Sequence, residues 1–336
     1  MPLSLNGTTG VTFPDSSLQA AAASPNVLKN RIINGDMVIS QRSGTTSTTP
    51  TTDLTYNTVD RWQSRLAASS KYSLQQNAGS VTPPASFTNY LGVTSLAATS
   101  VSGTDYYAIE QKIEGFNTAD LSFGTANAQT ITLSFWVRSS LTGTFGGNIR
   151  NETSNYCYPF SYTISSANTW EKKTVTIAGA TAGTWVGATN AAGMTVAFNL
   201  GVGSTYTGTA NAWYASTIIN PTGATSVVGT NGATWYLTGV QLEQNTSATP
   251  FERRLYNQEL ANCQRYFEII AGVFITTLIY PSFYYKVTKR ANPTTSNLTI
   301  SSGSGGTLQN FDTQRTYQET VNSLPSNFTA WQSAEL

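Results

Sequence analysis

Between residues 71 and 250, apolar residues recur mostly at every second position, in short runs broken by Gly, Asn, Ser and Thr. The clearest run is ITLSFWVRSS, where Leu133, Phe135 and Val137 alternate with Ser134, Trp136 and Arg138. Successive strand side chains point to opposite faces, so this pattern predicts one face in a core and a semi-polar face outside it. The same reading predicts strands near 71–76, 89–95, 106–113, 129–138, 145–150, 160–164, 171–177, 194–200, 212–219 and 234–243. About ten strands with no helix between them argue for a mainly β chain built on a jelly-roll β-sandwich.

The run from Thr234 changes character twice. Tyr236, Thr238, Val240 and Leu242 alternate with Trp235, Leu237 and Gln241, and Gly239 marks a bulge or a close backbone approach. Pro250 ends the pairing. Tyr256, Leu260, Cys263 and Phe267 then recur at spacings of four, three and four, the seam of a short helix. A helix this short is not stable alone in water. Its stripe is buried either by the sandwich or by sister copies around a symmetry axis. The second is the expectation here, with those four residues as the oligomer interface of a trimerising helix. Residues 270–336 return to strand periodicity, with Phe283, Tyr285 and Val287 opposite Tyr284, Lys286 and Thr288. They make a small β head, a size for which oligomerisation is a common remedy. Residues 1–29 carry too little apolar surface to fold alone and read as an extended segment ordered by a partner. The expected organisation is an extended segment (1–29), the sandwich (30–250), a short helix (251–269) and a β head (270–336).

Composition narrows the chemistry. Charged residues make up 10% of the chain, against roughly 25% in ordinary soluble domains. A net charge of +1 supplies no field for nucleic acid or an anionic membrane. Histidine is absent, which removes the commonest general base and metal ligand. Cys157 and Cys263 fall in different regions and indicate neither a disulfide nor a metal site, and no cofactor is called for. No apolar run is long enough for a membrane helix, and the N-terminus lacks the basic start of a secretory signal. Glu110, Glu114 and Asp120 read as solvated surface charge rather than a catalytic pair, so an enzyme is not expected. Neutral carbohydrate fits best, because seven Trp and seventeen Tyr offer rings to sugar C–H faces, while Asn, Gln and Thr offer hydrogen bonds. The candidate sugar-binding residues are Trp136, Trp213 and Tyr214 in the sandwich, and Tyr280, Phe283, Tyr284 and Trp331 at a tip of the head. Trp62 reads as core.

Four blocks carry a resemblance. GTTGVTFPDSSLQ contributes Gly7, Gly10, Phe13, Pro14, Asp15 and Gln19, and NRIINGDMVISQR, which reads as a strand, contributes Asn30, Asn34, Gly35, Met37, Gln41 and Arg42. VDRW follows at 59–62, and FERRLYNQELANCQRYF at 251–267. In this order they resemble bacteriophage tail-fibre proteins, although Ser16 stands where that pattern has Gly. The stretches Leu133–Arg138, Trp170–Thr176 and Tyr236–Glu243 resemble jelly-roll carbohydrate-binding modules of secreted glycanases. Thr238 replaces an Asp often found there, so a calcium site does not carry over. The resemblance implies a virion structural protein, a homotrimeric tail fibre adsorbing to a host-surface glycan or receptor. Residues 1–29, through Val11, Phe13, Pro14 and Leu18, would attach it to tail, baseplate or adaptor proteins, and no nucleic acid or membrane insertion is implied. A capsid-surface or head-fibre protein would share these features, and a glycan-depolymerising tailspike is the enzymatic alternative.

Overall fold

The computed structural model describes residues 4–6, 10–12, 18–19, 29–274, 282–300, 306–310, 312–321 and 326–336. Three short strands, β1 (Ser4–Asn6), β2 (Gly10–Thr12) and β3 (Leu18–Gln19), pair antiparallel. Val11 and Leu18 lie on them, while Phe13 and Pro14 fall outside the described residues. The sandwich runs through β4 (Gln63–Arg65), β5 (Tyr72–Gln76), β6 (Leu91–Ser95), β7 (Tyr106–Glu114), β8 (Ile131–Ser139) and β9 (Gly143–Arg150). It continues with β10 (Cys157–Ile164), β11 (Glu171–Ile177) and β12 (Ala192–Val202). A short parallel pair, β13 (Thr207–Gly208) and β14 (Asn220–Pro221), precedes the closing strand β15 (Thr234–Glu243). Two five-stranded antiparallel sheets result, ordered β10-β9-β12-β7-β4 and β11-β8-β15-β6-β5.

The core lies between these sheets and follows the alternation of the sequence. Leu133, Phe135 and Val137 of β8 are fully buried against Val196, Phe198 and Leu200 of β12. Phe135 meets Phe198 edge-on at 4.9 Å, and Trp62 packs on the same Phe198 at 6.2 Å. On β15 the alternation slips. Trp235 and Leu237 face the core, but so do Val240 and Leu242, because the register shifts between Thr238 and Gln241. Gly239 takes a positive φ of 62° there, and a Cβ on it would come within 2.6 Å of the Phe87 ring. The glycine is thus both the bulge and the close approach, and it corrects the face assigned to Tyr236 and Thr238.

Two expected strands are not strands. The NRIINGDMVISQR block is irregular because Asn34 and Met37 adopt left-handed φ values of 57° and 61°. Asparagine amides take over the ladder's work: Asn34 Nδ2 donates to the carbonyls of Ile39 and Asp60, and Asn30 Nδ2 to that of Val240. The 212–219 stretch is a loop lying over the first sheet.

The helix α1 (Tyr256–Gln264) leads into β16 (Phe267–Phe274), so Phe267 begins a strand rather than ending a helix. The head holds β17 (Ser282–Tyr284), β18 (Thr294–Ile300), β19 (Gly306–Asn310), β20 (Arg315–Val321) and β21 (Ser326–Ser333), in sheets ordered β16-β21-β18 and β17-β20-β19. Its junction with the sandwich is ionic. Glu335 bonds Arg42 at 3.0 Å and also Arg61, whose side chains are 5% and 1% exposed. The Arg61 guanidinium lies 3.5 Å from the Tyr266 ring centre, and that of Arg42 3.6 Å from the Phe267 ring. Asp60 does not pair with its neighbour Arg61, but accepts from Gln41 and lies 3.6 Å from Arg42. Burial pushes its carboxyl up to about 6 against the pull of Arg42 and Gln41. Cys263 and Phe267 are each 1% exposed and covered by their own chain, so the expected oligomer seam is corrected for those two. Tyr256, 60% exposed, and the partly buried Leu260 remain at the surface, beside Leu255 at 79%.

Candidate functional site

β7 presents Tyr107 and Ile109 to the core and Tyr106 and Glu110 to the opposite face. Register places Gln63 of β4 on one side of Glu110 and Ala197 of β12 on the other, with Asn148 and Arg150 of β9 beyond. A carboxylate in the middle of a sheet needs partners, since an unpaired buried charge is costly. Glu110 is fully buried and has them. Arg150 Nη2 donates to its Oε2, Gln63 Nε2 donates to Oε1 at 2.6 Å, and Arg65 Nη1 lies 3.7 Å away. Burial alone would raise its pKa, but the guanidiniums of Arg150 and then Arg65 outweigh it and hold the carboxyl below the usual range. Arg150 also donates to Asn148 Oδ1 at 2.7 Å, to Tyr106 Oη at 3.3 Å and to Ser154 Oγ at 3.0 Å. Glu110 is therefore not solvated surface charge. Nor is Glu114, 2% exposed, which takes two bonds from Arg265 at 2.9 Å; Asp120, half-exposed, holds Arg31.

Above this floor the 203–221 connection forms a roof. Asn199 Nδ2 donates to Ile219 O at 2.7 Å and to Asn220 Oδ1 at 2.8 Å, and Asn148 Nδ2 to Ile219 O at 3.0 Å. Thr217 Oγ1 donates to Ser154 O at 2.8 Å. Floor and roof enclose an open cavity of 260 Å3, lined by Asp53, Arg65, Tyr106, Arg150, Tyr206 and Thr217 among others. Within it Arg65 Nε meets Asp53 Oδ1 at 3.0 Å, with side chains 24% and 39% exposed. The hydroxyls of Thr104 and Tyr206, also lining residues, make no hydrogen bond to the described residues. An ion pair open to solvent, two tyrosine side chains and free hydroxyls can hold a polyhydroxylated ligand by hydrogen bonds and C–H stacking.

No protein-family profile matches the chain, and no curated protein matches it. Among solved structures it is similar to the enzymatically active domain of tailspike protein 4 of bacteriophage CBA120, at 11% identity and a TM-score of 0.34. That match spans 64% of this chain and 21% of the tailspike chain. It is also similar to a putative sugar binding protein from Bacteroides thetaiotaomicron VPI-5482 (11% identity, TM-score 0.37, 65% of this chain and 100% of that one). A third is the family 11 carbohydrate-binding module of a cellulosomal cellulase of Clostridium thermocellum (9%, TM-score 0.29, 60% and 98%). At these scores none of them assigns a ligand or an activity.

The sequence candidates are scattered. Trp136 stands half-buried on the other sheet, opposite Lys172 and Thr238 in register. Trp213 is walled by Phe123, Tyr156, Tyr158 and Trp185, and its Nε1 donates to Ala178 O at 2.8 Å. The Tyr214 hydroxyl is spent on Thr209, accepting from its N–H at 2.9 Å and donating to its carbonyl at 3.2 Å. In the head, Phe283 packs on Phe328, while Tyr284 is exposed, at 69%. Trp331 lies at the junction, edge-on to Phe267 at 5.4 Å, and Tyr280 falls outside the described residues. Phe283, Tyr284 and Trp331 thus form no common tip. Asp53, Arg65, Tyr106, Arg150 and Tyr206 went unselected. The signal was there in β7 and β9, where Glu110 and Arg150 interrupt strands whose other face is apolar.

Proposed function

We propose that the chain is a structural protein of a phage tail fibre, whose sandwich binds a host-surface glycan in the 260 Å3 cavity without cleaving it. The observation that carries this is the half-open Arg65–Asp53 pair beside Tyr106 and Tyr206, held by a buried Arg150–Glu110 pair that fixes its floor. Sugar hydroxyls can bond a guanidinium–carboxylate pair, and the Tyr206 ring can accept a pyranose face. Glycoside cleavage needs a carboxyl whose pKa is raised to act as an acid. Glu110 is shifted the other way, and Asp53 is committed to Arg65 Nε and Leu66 N. The virion assignment draws on the four sequence blocks. Asn30, Asn34, Gln41, Arg42, Asp60, Arg61, Arg254, Tyr266 and Phe267, from three of them, join through direct hydrogen bonds, an ion pair and ring contacts. Copies of the chain would meet at the exposed Leu255 and Tyr256 with Leu260, giving a homotrimer whose repeated weak sites add up to firm attachment.

The test is a glycan array probed with the purified chain, run beside a reducing-sugar release assay. Binding without release is expected, and Arg65→Ala with Asp53→Asn should lower the bound signal at least tenfold. Release of sugar, or array binding untouched by both substitutions, would overturn the reading.

A further inference from the structure

A second cavity, of 380 Å3, opens between the 115–125 segment and the 182–193 loop. We infer that it is an independent binding site for one or two rings of a neutral pyranose sugar. Its size falls in the about 300–1,000 Å3 range of small-ligand pockets. Its lining residues include Ser122, Phe123, Thr125, Asn127 and Trp185, and none of them is charged.

Two features make it a formed site rather than a surface dent. The first is aromatic. Trp185 stands edge-on to Phe123 at 4.9 Å and to Trp213 at 5.8 Å, and Trp213 stacks on Tyr156 at 5.5 Å. Both indole N–H groups are committed to backbone carbonyls, Trp185 to Ala182 and Trp213 to Ala178, so the rings are fixed before a ligand arrives. The second is the way the two walls are joined. Gly115 N donates to Ala191 O at 2.8 Å and Phe116 N to Thr189 O at 2.9 Å. A Cβ on Gly115 would fall 2.1 Å from Gly187 O, and one on Gly193 would fall 2.2 Å from Thr118 Oγ1. Only glycine lets the backbones approach this closely. Pre-fixed walls spare a ligand the cost of ordering them.

The chemistry selects the ligand class. Trp185 and Phe123 offer apolar ring surface, whereas Ser122 and the exposed Asn127 offer a hydroxyl and an amide on the same cavity. An ionic ligand finds no counter-charge there, and a purely apolar one leaves those polar groups unsatisfied. A neutral pyranose, with a C–H face and a rim of hydroxyls, meets both. This site shares no lining residue with the Arg65 cavity, so it stands or falls separately.

The experiment titrates the full chain carrying Arg65→Ala and Asp53→Asn, which silence the other cavity, with cellobiose, lactose and maltose, followed by saturation-transfer NMR and tryptophan fluorescence. Saturable binding of at least one disaccharide is expected, with Trp185→Ala and Asn127→Ala each weakening it at least tenfold. Asn127 is exposed, so its substitution leaves folding intact if Trp185→Ala does not. Absence of saturable binding by all three sugars would overturn the inference. So would sugar binding that Asn127→Ala leaves unchanged, or binding of the apolar probe indole with no sugar bound.

Discussion

The sandwich core and the junction with the head are both buried, yet they are built from opposite materials. In the core, Phe135, Phe198, Leu133 and Val196 meet with no charge among them, and stability grows with the apolar area removed from water. At the junction, Arg42, Arg61, Glu335, Glu268 and Lys289 are nearly or wholly withdrawn from solvent, in a chain with 10% charged residues. Lys289 Nζ lies 3.2 Å from Glu268 Oε1, and both side chains are fully buried. A greasy core tolerates neighbours of similar shape. A buried ionic junction accepts one docking arrangement, because each charge is costly without its partner. The head is thereby bound to the sandwich in a single placement, and truncating residues 270–336 would strip Arg61 of its carboxylate rather than cleanly remove a tip.

The comparison breaks most visibly under substitution. Phe135→Ala should cost about 4 kcal/mol, by lost transfer energy and a cavity between the sheets. Urea unfolding would show it as a lower midpoint with an unchanged slope. Glu335→Ala removes far less apolar surface and, were the junction ordinary surface, would cost under about 0.5 kcal/mol. It should instead cost about 3 kcal/mol, because Arg61 then keeps the Tyr266 and Tyr56 rings and the Lys112 carbonyl but no carboxylate. A loss below about 1 kcal/mol in the same assay would mean that the two arginines relax into water.

The two regions also differ in how far the sequence reveals them. The core was legible: β8, β11 and β15 fall where period-two alternation puts them, and Trp62 is buried as read. Alternation failed at Gly239, where one bulge residue exchanges the faces of β15. The junction was not legible, because Glu335 lies far along the chain from Arg42, Asp60 and Arg61 and nothing local says that they meet. The Arg65 cavity was hidden for the same reason. Its residues come from β4, β7, β9 and several of the loops that join the strands, and only register brings them together. The aromatic residues that stand out in the sequence are mostly packed against each other, as Trp213 is on Tyr156 and Trp331 on Phe267.

Titration sharpens the contrast further. Burial lowers the Lys289 ammonium to about 8, with the charge of Glu268 opposing but not reversing it. Above that pH the folded state has lost a proton that the unfolded chain keeps until its ordinary 10.5. The unfolded state then binds more protons, so stability should rise between pH 8 and 10.5, by at most about 1.4 kcal/mol per pH unit. Lys289→Met should remove this slope. A flat or falling profile in the unaltered chain would show that Glu268 holds the lysine charged. No core residue offers a comparable handle, since the core carries nothing that titrates near neutrality.

The smallest expected effect on folding is the most informative about assembly. Leu255 and Tyr256, 79% and 60% exposed, are apolar side chains left outside both the core and the junction. Replacing both with Ser should change the stability of one chain by under about 0.5 kcal/mol, since neither fills a cavity nor holds a charge. If copies meet there, the same pair of substitutions should shift light scattering from the mass of a trimer to that of a monomer. A trimer that survives Leu255→Ser with Tyr256→Ser would place the contact elsewhere. A wild-type monomer would mean that α1 is sheltered by its own chain alone, as Cys263 and Phe267 already are. The residues that hold one chain together would then be distinct from any that join copies, and attachment through many weak sites would lose its basis.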